Sequence, residues 1–273
     1  MPTVTLLAFI FLGLSYLSLW VRKDARFWGS LLVLSLILGL VGGSVQWLGI
    51  VFAILAAVLW IWFNQQKSYL LRAILFLVLI AASIAFTFRF FSGFSPIALT
   101  DKLKIGLAKP VFCLFPLALF VPLARSLKDW KKAALGLAIG CAGIIILAFL
   151  AIASGAVQWH YKIPSHPEAR YLSNFFLVSI PEEAFYRGFM QNEFCRYFQK
   201  VKGGKLLALF LTSALFTLVH LFWSPNVSIL AFVFVASLLY GGVYLISGKI
   251  ESAILTHFLL NATHMTFFSY HAM

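Results

Sequence analysis

Successive runs of about 20 apolar residues thread the chain, and no other feature restricts its fold so severely. In hydrocarbon each backbone segment must satisfy its own hydrogen bonds, and the helix does this within a single run. Ten runs are legible, at about residues 3–21, 28–43, 46–63, 69–91, 110–124, 133–153, 171–190, 206–222, 228–247 and 252–270. They predict an all-α fold: a polytopic transmembrane helix bundle of about ten helices, with a range of roughly eight to ten. With 62% hydrophobic and only 11% charged residues, a soluble domain is excluded. The fifth run is short, and Ser95–Lys109 before it, with Asp101, Lys102 and Lys104, reads as an interfacial helix. The run Thr3–Val21 lacks a basic leader and a small-residue cleavage site, so it is expected to be a retained transmembrane helix. Trp60-Ile-Trp-Phe63 at the end of the third run reads as an interfacial aromatic belt.

The formal charge of +13 would suit nucleic acid in a soluble protein. Here the basic residues cluster at helix ends, where they set topology and meet anionic headgroups, and no basic run lies in a polar domain. Nucleic acid is therefore not an expected partner; the lipid bilayer is. If the N-terminus starts outside, the inner loops collect Arg22, Lys23 and Arg26, the Arg125–Lys132 cluster, and Arg196, Lys200, Lys202 and Lys205. That bias follows the positive-inside rule and places both termini outside. Cys113, Cys141 and Cys195 lie apart with no paired spacing and read as free thiols. Neither polar connection, Ser154–Arg170 nor Cys195–Lys205, is large enough to fold alone.

The chain holds only eight acidic residues, yet two of them, Glu182 and Glu183, stand side by side inside the seventh apolar run. A charge at such depth costs at least a few kcal/mol and marks a functional site by default. On a helix Glu183 and Arg187 are i,i+4 neighbours and pair, while Glu182 is turned about 100° away. A carboxylate in apolar surroundings without its own cation holds its proton more tightly, which suits a general base near neutrality. The plainer alternative is that both glutamates only balance Arg187 and tie helices together. His220 closes the eighth run as Phe216-Thr-Leu-Val-His220, and His257-Phe-Leu-Leu-Asn261 lies in the tenth with both polar residues on one face. One carboxylate, two imidazoles and a carboxamide from three helices suffice to activate a water and stabilise an oxyanion.

In this order, Glu-Glu-x-x-x-Arg, Phe-x-x-x-His and His-x-x-x-Asn resemble the motif trio of the CPBP family of intramembrane endopeptidases, which includes the type II CAAX prenyl endopeptidase. Tyr186-Arg187-Gly188 and the run Gly248-Lys-Ile-Glu-Ser-Ala-Ile-Leu-Thr-His257 resemble its flanks. The resemblance covers about a third of the chain and divides it into residues 1–165, helices of unrecognised role, and 166–273, a catalytic helical core. It implies cleavage of a peptide bond in a membrane-embedded or lipidated peptide substrate. Glu182 would be the general base with His220 beside it, His257 and Asn261 would hold the oxyanion, and Glu183 and Arg187 would shape the site. His264, one turn past Asn261, matches no motif and reads as structural.

The resemblance favours a mechanism without a cofactor. Zinc is the alternative, because a glutamate and two histidines make a plausible ligand set, although no His-Glu-x-x-His pair is present. Two other functions compete. A proton-coupled membrane transporter predicts inverted repeats and paired broken helices, which the sequence lacks. A catalytically silent scaffold or immunity-type protein would keep the fold and bind a partner. The expected location is the bacterial inner membrane, with the endoplasmic reticulum membrane as the alternative. In this threading His220 sits about 10 Å further toward the outer side than Glu182 and His257, so the site closes only if Pro181 breaks its helix or the eighth helix tilts or starts later.

Overall fold

The computed structural model describes residues 3–100, 103–222 and 225–269. Its helices are α1 (Thr3–Val21), α2 (Ala25–Val41), α3 (Trp47–Gln65), α4 (Tyr69–Thr87), α5 (Ala108–Phe120) and α6 (Leu127–Ala153), followed by a helical segment over 167–197 and then α10 (Gly204–His220), α11 (Val227–Ser247) and α12 (Ile250–Phe267). The 167–197 segment runs α7 (Pro167–Asn174), a π stretch (Phe175–Ser179), α8 (Ile180–Glu183), a second π stretch (Ala184–Gln191) and α9 (Asn192–Tyr197). Each apolar run of the sequence falls on one of these helical stretches, so the all-α bundle is as expected. By length and composition α1, α3, α4, α6 and α11 are able to cross a membrane, whereas α2, α5 and α10 are apolar but shorter. The chain is an integral membrane protein. Pro181 does not end its helix; its missing N–H and the clash of its ring with the preceding turn are absorbed by the wider π spacing upstream of it.

Contacts divide the chain into two units, Met1–Val121 with Phe176–Pro181, and Pro122–Phe175 with Glu182–Met273. In the first, Asp24 and Ser68 cap the N-termini of α2 and α4 with their side chains. Trp60 and Phe63 are fully buried, their rings packed against Phe112 and Phe120 at 5.2–5.8 Å. The expected interfacial belt is thus corrected: Ala53, Ala56, Trp60 and Phe63 recur at helical spacing on the inner face of α3, and Ile61 and Trp62 take the outer one. The expected interfacial helix over 95–109 is also corrected. Ile97–Thr100 (β1) pairs antiparallel with Leu103–Ile105 (β2), and Asp101 and Lys102 lie outside the described residues.

In the second unit, α6 starts from a capping box made by Ser126 and Asp129, and α11 from Asn226. α11 closes on Gly248 at φ +66, a left-handed turn that suits glycine, so α12 begins two residues later. α6 lies against both α11 and α12. A Cβ on Gly140 would run into Thr256, and one on Gly136 would stand 2.7 Å from the Ser252 Cβ. Small residues at that spacing let two backbones approach closely in a membrane protein, where apolar packing alone drives association weakly. The far end of α12 is closed by a strap: His160 and Lys162 donate their backbone N–H groups to the carbonyls of Phe267 and Thr266, which have no partner within the helix. Beside it Gln158–Trp159 (β3) pairs antiparallel with Phe268–Ser269 (β4).

Gly140→Leu is expected to push α6 off α12 at a cost of about 1–3 kcal/mol, read as a lowered thermal midpoint of the purified protein. Gly242→Ala, where an added Cβ meets nothing within 4 Å, serves as the silent control.

Candidate active site

All six residues singled out by the motifs lie in the second unit, and four of them, Glu182, Glu183, Arg187 and His257, are joined by side-chain contacts. Glu183 and Arg187 sit on one face of the segment that includes α8 and pair through Arg187 Nη1 and Glu183 Oε1 at 2.9 Å, both side chains wholly buried. His257, in the middle of α12, reaches the same carboxylate oxygen, its Nδ1 2.7 Å from Glu183 Oε1. One oxygen therefore serves a guanidinium and an imidazole, while Glu183 Oε2 has no hydrogen-bond partner among the described residues. Glu182 faces the other ring nitrogen, its Oε2 3.9 Å from His257 Nε2. Its side chain is 14% exposed where that of Glu183 is sealed, so of the adjacent pair only Glu182 is within reach of a reactant.

The pairing of Glu183 with Arg187 is the one the i,i+4 spacing predicts. That His257 binds the sealed glutamate, and sets its second nitrogen toward the accessible one, could not be read from spacing, which says nothing about contacts between helices. The guanidinium is fixed further by α11: Arg187 Nη2 donates to the Ser237 carbonyl and hydroxyl at 2.9 and 2.7 Å. Its carbon lies 4.9 Å from the ring centre of Phe216 and 5.3 Å from that of Tyr240. These are cation–π distances, which count for more when the cation is desolvated. Ser237, Tyr240 and Gly241 were not foreseen as site residues. The signal was present: small or polar groups at i, i+3 and i+4 make a polar stripe on an otherwise apolar helix.

His220 is the last residue of α10, and its Nδ1 lies 2.7 Å from the carbonyl of Phe216 one turn earlier. A carbonyl only accepts, so Nδ1 carries the hydrogen, and in the neutral ring Nε2 is left as an acceptor. The ring packs on Phe216 with centroids 4.4 Å apart, and Phe216 stands edge-on to His257 at 6.1 Å. Phe216 thus meets α12 beside His257, and His220 follows it by one turn of α10. Asn261, one turn beyond His257, has its Nδ2 3.4 Å from Asn174 Oδ1 on α7. His264 lies outside this cluster, packed toward Phe268. Among the described residues no three His, Cys, Asp or Glu side chains gather at metal-holding geometry.

Residues 164–263 match the family model described as type II CAAX prenyl endopeptidase Rce1-like. The matched stretch spans all three motifs, and over it the resemblance is borne out. No curated protein and no solved structure matches the chain. At family level this part of the chain is thus similar to type II CAAX prenyl endopeptidases.

Arg187→Ala leaves the Glu183 charge buried and without its guanidinium; a loss of about 3–5 kcal/mol is expected, measured as reduced yield and a lower thermal midpoint. Glu183→Gln is expected to lower stability at least as much as activity.

Proposed function

We propose that the protein is an intramembrane endopeptidase that cleaves a peptide bond in a membrane-associated or lipid-anchored peptide, using a water activated by Glu182. The observation that carries this reading is the inequality of the two glutamates. Glu183 is sealed and shared by Arg187 and His257, whereas Glu182 lies partly open with an imidazole nitrogen 3.9 Å away. A sealed, paired carboxylate supplies a fixed charge; an accessible one takes and returns a proton.

In the proposed reaction Glu182 removes a proton from water as the water oxygen attacks the scissile carbonyl carbon. The C=O π pair moves onto oxygen, and the tetrahedral intermediate collapses as the C–N bond breaks. The proton held by Glu182 then passes to the leaving nitrogen, so the carboxylate is regenerated. His220, anchored through Nδ1, presents Nε2 as an acceptor that orients the water. His257 and Asn261 hold the oxyanion. The neutral form of His257 that donates from Nδ1 to Glu183 has no hydrogen on Nε2, so its donation from Nε2 requires the doubly protonated ring, with Glu183 and the oxyanion itself as counter-charges once Glu182 holds the water proton. Asn261 donates from its amide without such a condition. No step is assigned to a metal. Burial among helices suits a substrate that arrives through the bilayer on an anchor, and the family match favours a prenylated one.

Glu182→Gln and His220→Ala are each expected to cut turnover by at least about 100-fold while insertion and folding persist. The measurement compares the membrane peptidome of cells carrying wild type with that of cells carrying Glu182→Gln. Fragments that vanish identify substrates, and an unchanged peptidome turns the reading toward a carrier or a scaffold. Purified protein is expected to keep its activity after treatment with a chelator; loss of activity that zinc restores would reinstate the metal.

A further inference from the structure

Tyr240, on α11, is the only ring that the described residues place parallel to the His257 imidazole. The two planes are inclined by 10° with centroids 4.6 Å apart, and Tyr240 is 2% exposed. No motif includes Tyr240, and no hydrogen bond of its hydroxyl is found among the described residues. Its ring face is what the site uses. The bond from His257 Nδ1 to Glu183, with the tether to Cβ, fixes one edge of the imidazole and leaves the ring a limited tilt about that edge. Tilting would carry Nε2 away from Glu182. A flat partner against one face, with the edge of Phe216 at 6.1 Å as a second wall, removes that freedom.

We propose that Tyr240 is a positioning residue for His257: its ring face sets the plane of the imidazole and so the direction in which Nε2 meets Glu182 and the reacting carbonyl. The same ring lies 5.3 Å from the Arg187 guanidinium, so one aromatic side chain packs against both partners of Glu183. The inference deepens the endopeptidase reading and rests on it for the kinetic consequence, but its geometric content stands apart from any reaction. The ring face, and not the hydroxyl, is the active part, so phenylalanine substitutes and an aliphatic side chain does not.

The test uses the full-length protein in lipid nanodiscs with wild type, Tyr240→Phe and Tyr240→Leu. The probe is an internally quenched, farnesylated CAAX-type peptide. Tyr240→Leu is expected to lower kcat about 100-fold, the scale of a catalytic group displaced by an ångström, with KM within about twofold; Tyr240→Phe is expected to stay within about threefold of wild type. In the second arm the histidines are isotopically labelled and the His257 ring signals are identified by their loss in His257→Gln. A ring current shifts the protons of a stacked imidazole upfield, so these signals are expected upfield in wild type and Tyr240→Phe and at ordinary positions in Tyr240→Leu. If Tyr240→Leu does not fold, Tyr240→Met carries the same expectations. Equal loss of kcat in the Phe and Leu variants, an effect confined to KM, or unmoved His257 signals in Tyr240→Leu would each overturn the proposal. A wild type that leaves the probe uncut, together with an unchanged peptidome, counts against the endopeptidase reading instead, and the ring signals then decide the stacking on which the positioning depends.

Discussion

The second unit is organised around one carboxylate oxygen. Glu183 Oε1 accepts from Arg187 on its own helix and from His257 on α12, and Arg187 continues to Ser237 on α11. Three helices thus meet on a chain of charge-assisted hydrogen bonds with no exposed member among Glu183, Arg187 and His257. In hydrocarbon the apolar effect that compacts soluble proteins is weak between helices, and such polar contacts help to fix their register. A buried ion network adds little net stability compared with apolar packing. Its value lies in the penalty on every arrangement that leaves a charge without its partner. The geometry of the candidate site and the helix register are therefore set by the same atoms.

The π stretches and the small-residue contact bring the active groups to that network. α6 approaches α12 closely because Gly136 and Gly140 offer no side chain where Ser252 and Thr256 pass. Along 167–197 the wider turns before and after Ile180–Glu183 change the angular spacing of the residues on either side. A regular α-helix would have aimed Asn174, Glu182 and Arg187 differently relative to one another. Proline at 181 makes strict α-helical bonding impossible in its preceding turn, so the departure is encoded locally.

Much of this was legible in the sequence because membrane helices announce themselves by length, and Glu183–Arg187 and His257-x-x-x-Asn261 by spacing within one helix. What was hidden belongs to contacts between elements. Nothing in α3 distinguishes Trp60 and Phe63 from Ile61 and Trp62 by polarity, so which face turns inward waited for the structure. The Ile97–Ile105 hairpin was masked by apolar residues that suit an interfacial helix equally well. The binding of His257 to Glu183 and its stacking on Tyr240 depend on where α11 and α12 lie against the Glu182 segment, and the period of a single helix carries no such information.

The position of His220 at the last residue of α10 gives the site an uneven stiffness. Glu182, Glu183 and His257 stand in helix interiors, where releasing a side chain means breaking hydrogen bonds on both sides of it. His220 depends on a terminal turn and on a ring-to-carbonyl bond within that same turn. Helix ends open at the lowest free energy of any helical position. The molecule thus has one wall cast in place and one hinged jamb. On the proposed reading, a bulky anchored peptide would be admitted by loosening a single turn of α10 while the charge network opposite stays assembled, and His220 would return by recovering the Phe216 carbonyl.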